Sequence, residues 1–353
     1  MKIEHEVVKA IYDRLGDDLS RRIFTDRLMY SLTGDCRFLW DCIETYELGA
    51  EFVSLLRRKK EEGREICAYG AGVSGRFLYD AYSTIIDFFV DKNYKNISMG
   101  VPVLSPEILR DHTAAFVVIT LGAGWEKDIS VVVDTLRTQG FSEEQICVLY
   151  QYYPYFEEHA YFDLPYLKWQ PDSVFLDVGA FDGSTSVHYI KRCREMFPSS
   201  VPEVIAVEPN STLADRVAEA LNQETGVPFR VVKQGVWDVT GTTKFRVTPA
   251  GMFEEDEHGA IEMECITIDD ILQGKPVDMI KMDIEGSEYR AIKGASNTIR
   301  SCKPQLAISV YHKPEDIIEL PQLIMELNPA YKFYLRHYYP KANETDLYAI
   351  PAE

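Results

Sequence analysis

The sequence predicts an α/β protein with two doubly wound units, each a parallel sheet covered by helices, after a short helical segment. In both halves of the chain a short apolar run leads into a glycine turn and then a helix start, at residues 66–76 and 174–184. Strand-like runs and helical spacings alternate after each turn, as in parallel sheets with crossover helices. A chain of 353 residues is long enough for two domains with separate cores.

Composition and charge limit the classes of partner. The net charge is −19 and basic residues form no stripe, which argues against nucleic acid and membrane surfaces as partners. The seven cysteines contain no CxxC pair, so we expect neither a zinc site nor a disulfide framework. The polar N-terminus lacks a signal-peptide core and the apolar runs are too short to span a bilayer, so we expect a cytoplasmic location.

The chain divides by composition into four regions. Residues 1–62 are expected to be helical, 63–150 to form a small Rossmann-like domain, 151–172 to form a linker, and 173–353 to form a larger α/β domain. The linker is rich in Tyr, Phe and Pro, and we expect its aromatic side chains to pack in the interface between the two domains rather than to stack on a sugar.

The region 63–150 has a GxGxxG turn, formed by Gly70, Gly72 and Gly75, directly after a predicted strand. The next strand ends at Asp91, where dinucleotide sites place a ribose-binding acid. These four residues are a candidate second nucleotide site, and a scaffold without a ligand is the alternative. With the motifs YGAG (69–72), GVPV (100–103) and SPE (105–107), the region resembles the small nucleotide-binding-like domain that precedes the acyltransferase part of some sugar-modifying enzymes.

The second glycine turn, VFLDVGAFDGS at 174–184, differs from the first because it carries carboxylates. Asp177 closes the strand and Asp182 lies inside the turn. A pyrophosphate would be repelled by Asp182, whereas a ligand with an amino group and a sulfonium would be attracted. S-adenosylmethionine is such a ligand.

Three further strands are expected to place polar residues at the carboxyl edge of the same sheet, where α/β proteins bind ligands. The strand at 203–207 ends at Glu208, the strand at 277–282 at Asp283, and the strand at 306–310 is followed by His312. Glu208 is placed to accept hydrogen bonds from both ribose hydroxyls of an adenosine. Two closing strands near the C-terminus are expected to pair as a terminal β-hairpin.

Six motifs occur in order over residues 173–350. They are FLDVGAFDG (175–183), VEP (207–209), KMDIEGSE (281–288), SVYHKPED (309–316), RHY (336–338), and ET before LY (344–348). The region resembles FkbM-type methyltransferases. That resemblance implies the seven-stranded class I methyltransferase sheet with a terminal β-hairpin, and methyl transfer from S-adenosylmethionine to a hydroxyl, often of a sugar or polyketide.

The resemblance also suggests roles for individual residues. The turn backbone would hold the methionine carboxylate of the cofactor, Asp177 its amino group and Glu208 its ribose, with Val236 or Trp237 beside the adenine. The candidate cofactor-binding residues are Asp177, Gly179, Ala180, Phe181, Asp182, Gly183, Ser184, Glu208, Pro209, Asn210, Val236 and Trp237.

Asp283 and His312 are the candidate catalytic residues, because they end neighbouring strands and could take and orient the hydroxyl proton of an acceptor. With Glu285 and Glu288 they could also hold a divalent metal, but acidic motifs at such edges also cap and position backbone, and we expect no metal.

We therefore expect an S-adenosylmethionine-dependent O-methyltransferase acting on a small-molecule or carbohydrate hydroxyl, and a homo-oligomer is compatible with the sequence. Two alternatives remain. One is an NAD-dependent or nucleotide-sugar-modifying enzyme centred on Gly70–Gly75, and the other is a catalytically silent binding protein that retains the methyltransferase fold.

Overall fold

The structure is a computed structural model that describes residues 4–122, 124–153, 161–247, 253–256 and 258–352. Across these ranges, no helix is both long enough and apolar enough to cross a lipid bilayer. All seven cysteines are free thiols in this structure.

The described residues form two compact units, one from the ranges 1–24, 159–336 and 345–353 and the other from 25–158 and 337–344. These bounds differ from the four regions expected from composition. The start of the chain belongs to the larger unit because Leu15 forms a β-bridge with Phe333 and the Arg336 guanidinium donates to Asp17 at 2.9 Å. Contacts between residues 300 positions apart leave no signal in local composition.

The first half of the chain is helical up to residue 61 and then alternates strands with helices. Its helices are α1 (His5–Arg14), α2 (Asp18–Thr33), α3 (Arg37–Ile43), α4 (Glu47–Glu61), α5 (Val73–Tyr82) and α6 (Glu126–Thr138). Its strands are β1 (Ile66–Tyr69), β2 (Phe88–Val90), β3 (Val103–Leu104), β4 (Phe116–Ile119) and β5 (Ile146–Val148).

These five strands form the sheet of the smaller unit, in the order β3-β2-β1-β4-β5, with every neighbouring pair parallel. This is the order of the first five strands of a doubly wound Rossmann sheet. One buried cluster joins α4 and α5 to one face, through Phe52, Leu56 and Leu78, and another includes Ile129 and Leu136 of α6. Strand β3 was not predicted, because two residues are too few to show a period.

The second half of the chain supplies most of the larger unit. Its helices are α7 (Ser184–Met196), α8 (Ser211–Asn222), α9 (Ile268–Leu272), α10 (Glu288–Lys293), α11 (Ser296–Ser301) and α12 (Asp316–Leu327). Its strands are β6 (Val174–Val178), β7 (Glu203–Val207), β8 (Phe229–Val232), β9 (Gly235–Val236), β10 (Gly241–Val247), β11 (Phe253–Glu255), β12 (Ile261–Ile266), β13 (Met279–Met282), β14 (Gln305–Ser309), β15 (Tyr331–His337) and β16 (Thr345–Pro351).

The main sheet has seven strands in the order β15-β16-β14-β13-β6-β7-β8. The five strands from β14 to β8 are parallel, and β16 runs antiparallel to β14. This arrangement confirms the predicted seven-stranded α/β sheet. The carboxyl ends of β7, β6, β13 and β14 therefore lie side by side at one edge, where Glu208, the second glycine turn, Asp283 and His312 follow them.

The larger unit also contains a smaller, four-stranded sheet with the order β11-β10-β12-β9. It contains a buried cluster of Trp237, Phe245 and Cys265. Within the predicted linker, residues 154–160 lie outside the described part of the chain. Tyr161 and Phe162 are buried, and Phe162 packs against Phe175 and Tyr189, in agreement with the expected burial.

Candidate active site

The turn after β6 is supported from beneath by a buried ion pair. Asp177 has no exposed surface, and its Oδ2 accepts a hydrogen bond from the Ser186 hydroxyl at 2.7 Å. Its Oδ1 lies 3.2 Å from Nζ of Lys281, which is also buried and donates to the carbonyl of Gly179 at 2.6 Å. Both carboxylate oxygens of Asp177 therefore face protein groups, and its direct contact with a cofactor amino group stays a prediction.

The turn itself requires glycine at its first position. Gly179 has a φ of +81°, and a Cβ at this position would lie 1.9 Å from the carbonyl oxygen of Asp283. The amides of Gly179 and Ala180 both donate to the carbonyl of Val207, and that of Gly183 donates to Ala180. The turn is therefore preformed by its own hydrogen bonds, and its first glycine lies directly against the end of β13.

Gly179→Ala is expected to displace the turn from Asp283 and to weaken S-adenosylmethionine binding at least tenfold. The substitution adds a methyl group where the backbone of β13 already lies, and it also places alanine at a positive φ. Isothermal titration calorimetry would measure the affinity. Gly226→Ala is the matched control, because Gly226 also has a positive φ (+77°) but no atom lies within 4 Å of its Cβ position; equal losses in both variants would contradict the steric explanation.

Two carboxylates, from Glu208 and Asp182, flank this turn. Glu208 is 7% exposed, and its oxygens accept from the amides of Phe181 at 3.1 Å and Asn210 at 2.9 Å. Asp182 is exposed and accepts from the amide of Ser184 at 3.0 Å, at the start of α7. Both acids retain further lone pairs that a ligand can use. The Phe181 side chain is 63% exposed beside them, at a φ of +51°.

The other residues expected near a cofactor have structural partners. Asn210 caps α8 by accepting from the amides of Thr212 and Leu213, next to Pro209. Val236 and Trp237 are buried in or beside the small sheet, where the Trp237 ring meets Phe245 edge-on at 5.0 Å. The Trp237 indole therefore belongs to a core and presents little surface to an adenine.

Asp283 and His312 lie together at the carboxyl edge, as expected from their strands. His312 Nε2 lies 3.4 Å from Asp283 Oδ1 and 3.5 Å from Glu285 Oε2, and its Nδ1 lies 3.1 Å from Glu288 Oε1. The imidazole is 5% exposed, whereas the Asp283 carboxylate is 25% exposed. Asp283 thus borders solvent, and His312 lies behind it among carboxylates.

These carboxylates control the protonation of His312. Burial alone would lower the pKa of His312, but the negative charges of Glu288, Asp283 and Glu285 outweigh it and raise that pKa to about 9. Burial and the charge of Glu288 also raise the pKa of Asp316, the first residue of α12, to about 7. In the free protein at neutral pH, His312 is therefore mainly a cation.

Sequence reasoning missed Tyr161, which completes the site from the predicted linker. Its hydroxyl donates to Asp283 Oδ2 at 3.1 Å, and that of Tyr311 donates to the same oxygen at 3.4 Å. Tyr161 is 4% exposed and has a φ of +65°, a conformation that non-glycine residues adopt rarely. Tyr161 could not be distinguished in the sequence from the many other aromatic residues of the linker. Lys281 belongs to the motif at 281–288, but the sequence indicated only that it lies in a strand.

The first glycine turn repeats the geometry of the second. Asp91 Oδ2 accepts from the amide of Ala71 at 2.9 Å, as Glu208 accepts from Phe181, and Asp91 Oδ1 accepts from Asn93 at 2.7 Å. A Cβ on Gly75 would lie 2.2 Å from the carbonyl of Gly70, so Gly75 allows α5 to pack on the turn. Gly72 directly precedes α5. These contacts explain the motif through folding alone, so a second nucleotide site there stays a prediction.

Comparisons with known proteins agree with this architecture. A solved structure of methyltransferase FkbM from Methylobacillus flagellatus KT has a TM-score of 0.51 and 19% identity, covering 86% of this chain and 99% of that one. At this identity the likeness concerns the fold.

Two relatives are similar in sequence. The hexuronic acid methyltransferase AglP of Haloferax volcanii is 25% identical over 165 residues, which is 44% of this chain and 63% of that protein. A putative methyltransferase of Jannaschia sp. is 35% identical over 52 residues, 15% of this chain and 19% of that protein. The aligned part is thus less than two thirds of the length of either relative.

The family comparison covers the site described above. Residues 177–334 match the family model of the methyltransferase FkbM domain, a range that runs from Asp177 at the end of β6 to Tyr334 in β15. It includes Glu208, Asp283 and His312. Residues 177–334, within the larger unit, are therefore similar to the methyltransferase FkbM domain.

Proposed function

We propose that this protein is an S-adenosylmethionine-dependent O-methyltransferase whose acceptor is a hydroxyl of a small molecule or carbohydrate. The observation that supports it best is the direct contact between the glycine turn and the strand end that bears Asp283. Because Gly179 packs on the Asp283 carbonyl, a donor held at the turn lies beside the side chains that can receive a proton. The similarity to the FkbM domain and the hexuronic acid methyltransferase relative support the same reaction class.

The charge of the edge favours a cationic cofactor. Asp182, Glu208, Asp283 and Glu285 lie on the loops that follow β6, β7 and β13. Lys281, the cation nearest the turn, is buried in its ion pair and faces away from solvent. Such an edge attracts a sulfonium and repels a pyrophosphate. S-adenosylmethionine, when bound, supplies an electrophilic methyl group on a positively charged sulfur.

The protein's own residues would then act on the acceptor. Asp283, oriented by Tyr161 and Tyr311, accepts the hydroxyl hydrogen bond and aligns the oxygen with the methyl carbon. As the new oxygen–carbon bond forms and the sulfur–carbon bond breaks, the hydroxyl proton passes to the Asp283 carboxylate and from there to Nε2 of neutral His312, 3.4 Å from Asp283 Oδ1. The positive charge of the donor is thereby transferred, as a proton, to a group already surrounded by carboxylates.

No metal is needed for this step. Ligand atoms of Asp283, Glu288 and His312 lie within 4.8 Å of one another, so they are close enough to surround a divalent cation. However, in the resting protein at neutral pH the imidazolium of His312, between Glu288 and Asp283, compensates the same negative charge. We therefore assign His312 as the proton acceptor rather than as a metal ligand.

Thermal shift with four ligand classes tests the cofactor assignment. We expect S-adenosylmethionine and S-adenosylhomocysteine to raise the melting temperature, and NAD and nucleotide sugars to leave it unchanged. Stabilisation by NAD alone would favour an oxidoreductase centred on Gly70–Gly75. No response to any of them would favour a silent binding protein.

Transfer of a labelled methyl group to paired sugars tests the acceptor class. A glucoside and the matching glucuronoside differ only in a carboxylate, so together they distinguish hydroxyl from carboxyl methylation. We expect label on both, retained after mild alkali, because ethers survive conditions that cleave methyl esters. Alkali-labile label on the glucuronoside alone would overturn hydroxyl methylation.

A further inference from the structure

Glu288 lies behind His312, on the side away from Asp283. It begins α10, has no exposed surface, and its Oε1 accepts from the amide of Ile284 at 2.9 Å. The same oxygen lies 3.1 Å from His312 Nδ1. Its other oxygen, Oε2, is fully buried and has no hydrogen-bond partner among the residues that the structure describes. A carboxylate in such surroundings depends strongly on the Ile284 amide and on the positive charge of His312.

The two ring nitrogens of His312 therefore differ in what they face. Nδ1 faces a carboxylate with no exposed surface, whereas Nε2 faces Asp283, which is 25% exposed, and Glu285, which is 69% exposed. Loss of the Nδ1 proton would remove the N–H group that lies 3.1 Å from the buried carboxylate of Glu288. Loss of the Nε2 proton affects two carboxylates that water can solvate. The proton on Nε2 should consequently leave first.

We propose that Glu288 is the positioning residue of His312, holding its proton on Nδ1 so that the free lone pair of Nε2 points to the acceptor edge. A buried acid orients the histidine of serine hydrolases by the same principle. The role in turnover rests on the proposed methyl transfer, but the tautomer of His312 does not. Glu288 acts only through His312.

Other charged groups around the His312 ring do not change which of its two nitrogens loses its proton first. Lys313 donates to the carbonyl of Gly286, so its charge is held on the loop after β13. Asp316 accepts from the amide of Lys313 at 2.8 Å and has a pKa near 7, so it is partly neutral when His312 is charged. The Tyr311 ring lies 4.2 Å from the imidazole, centroid to centroid, and carries no charge at neutral pH. Glu288 is thus the strongest influence on Nδ1.

Nitrogen-15 NMR of histidine-labelled protein tests the proposal without any substrate. The seven histidines can be resolved by comparison with His312→Gln. In the wild type we expect His312 to titrate near pH 9 and its neutral form to carry the proton on Nδ1. Glu288→Gln keeps a hydrogen-bond acceptor but removes the negative charge. The pKa of His312 should therefore fall by at least one pH unit, and its neutral form should still carry the proton on Nδ1. Glu288→Ala removes both the acceptor and the charge, so the proton of the neutral His312 imidazole should move to Nε2.

Glu285→Gln is the matched control, since it removes a carboxylate that faces Nε2 instead of Nδ1. It should lower the His312 pKa but leave the proton of neutral His312 on Nδ1. An unchanged tautomer in Glu288→Ala, measured on a folded sample, would overturn the proposal. A His312 titration curve in Glu288→Gln identical to that of the wild type would also overturn it. Because glutamine is close in shape to glutamate, this variant provides the test if Glu288→Ala fails to fold.

Kinetics separate the positioning role from the chemistry itself. If methyl transfer occurs, kcat/KM of Glu288→Gln should rise at lower pH than in the wild type, with KM for S-adenosylmethionine unchanged. A profile identical to the wild type, together with the expected NMR shift, would show that Glu288 sets the tautomer without affecting turnover and would overturn its catalytic relevance. Absence of any transfer would contradict the proposed function and leave the NMR result to decide the tautomer.

Discussion

Asp177→Ala is expected to destabilise the larger unit by about 3–5 kcal/mol, because removing one partner of a buried ion pair leaves the other charge uncompensated. Lys281 is 3% exposed, and the Asp177 carboxylate lies 3.2 Å from its ammonium. Ser186 would lose its acceptor as well. In a unit of this size, differential scanning calorimetry should show a melting transition lower by roughly 10 °C.

A second substitution distinguishes the lost ion pair from a simple cavity. Buried ion pairs contribute little net stability compared with apolar replacements, so Lys281→Met in the Asp177→Ala background should restore part of the loss. Asp182→Ala is the matched control, because this acid lies in the same turn but is exposed and caps only the amide of Ser184. Asp182→Ala should lower the free energy of unfolding by about 1 kcal/mol.

The outcome also decides the role of Asp177 in ligand binding. If Asp177→Ala melted like the wild type and lost only S-adenosylmethionine affinity, the carboxylate would have to contact the cofactor directly, as first expected from the motif. If it unfolds early and the double variant recovers, the acid acts from beneath the turn. Calorimetry without ligand separates these cases because cofactor binding plays no part in it.

Most of the fold could be predicted from the sequence because the central strands of the two larger sheets are parallel and buried. Strands such as β13 and β14 are buried along their full length, so they appear as continuous apolar runs, and the intervening helices have clear periods. The prediction failed where elements are very short, as for β3 and β9, which have two residues each. The helices at the start of the chain were expected, but their contacts with Phe333 and Arg336 were not visible in the sequence.

The site was predictable in its positions more than in its contacts. The ends of β7, β13 and β14 gave Glu208, Asp283 and His312, since strand ends at one edge converge in any parallel sheet. A strand end does not reveal what each carboxylate faces. The partners Lys281 for Asp177, Glu288 for His312 and Tyr161 for Asp283 depend on side-chain packing between separate elements, which spacing along the chain does not encode.

His312→Gln is expected to lower kcat for methyl transfer by about 10²–10⁴-fold, the usual contribution of a positioned general base. Glutamine retains a polar group of similar size beside Glu288 but cannot take a proton at neutral pH. The dissociation constant for S-adenosylmethionine should change little, because His312 follows β14, which lies on the other side of β13 from the glycine turn. Initial rates with labelled donor and calorimetric titration would measure the two quantities separately.

The pH dependence provides the sharper test of the same residue. The neutral imidazole is the reactive form, so with a pKa of about 9 its fraction should rise nearly tenfold per pH unit from pH 7 towards 9, and kcat/KM should rise with it. His312→Gln should abolish this rise. His112→Gln is the control, because His112 pairs with Glu65 at the surface of the other unit. If His312→Gln retained the wild-type profile, the proton would have to leave through Asp283, which touches the acceptor edge without the buried histidine.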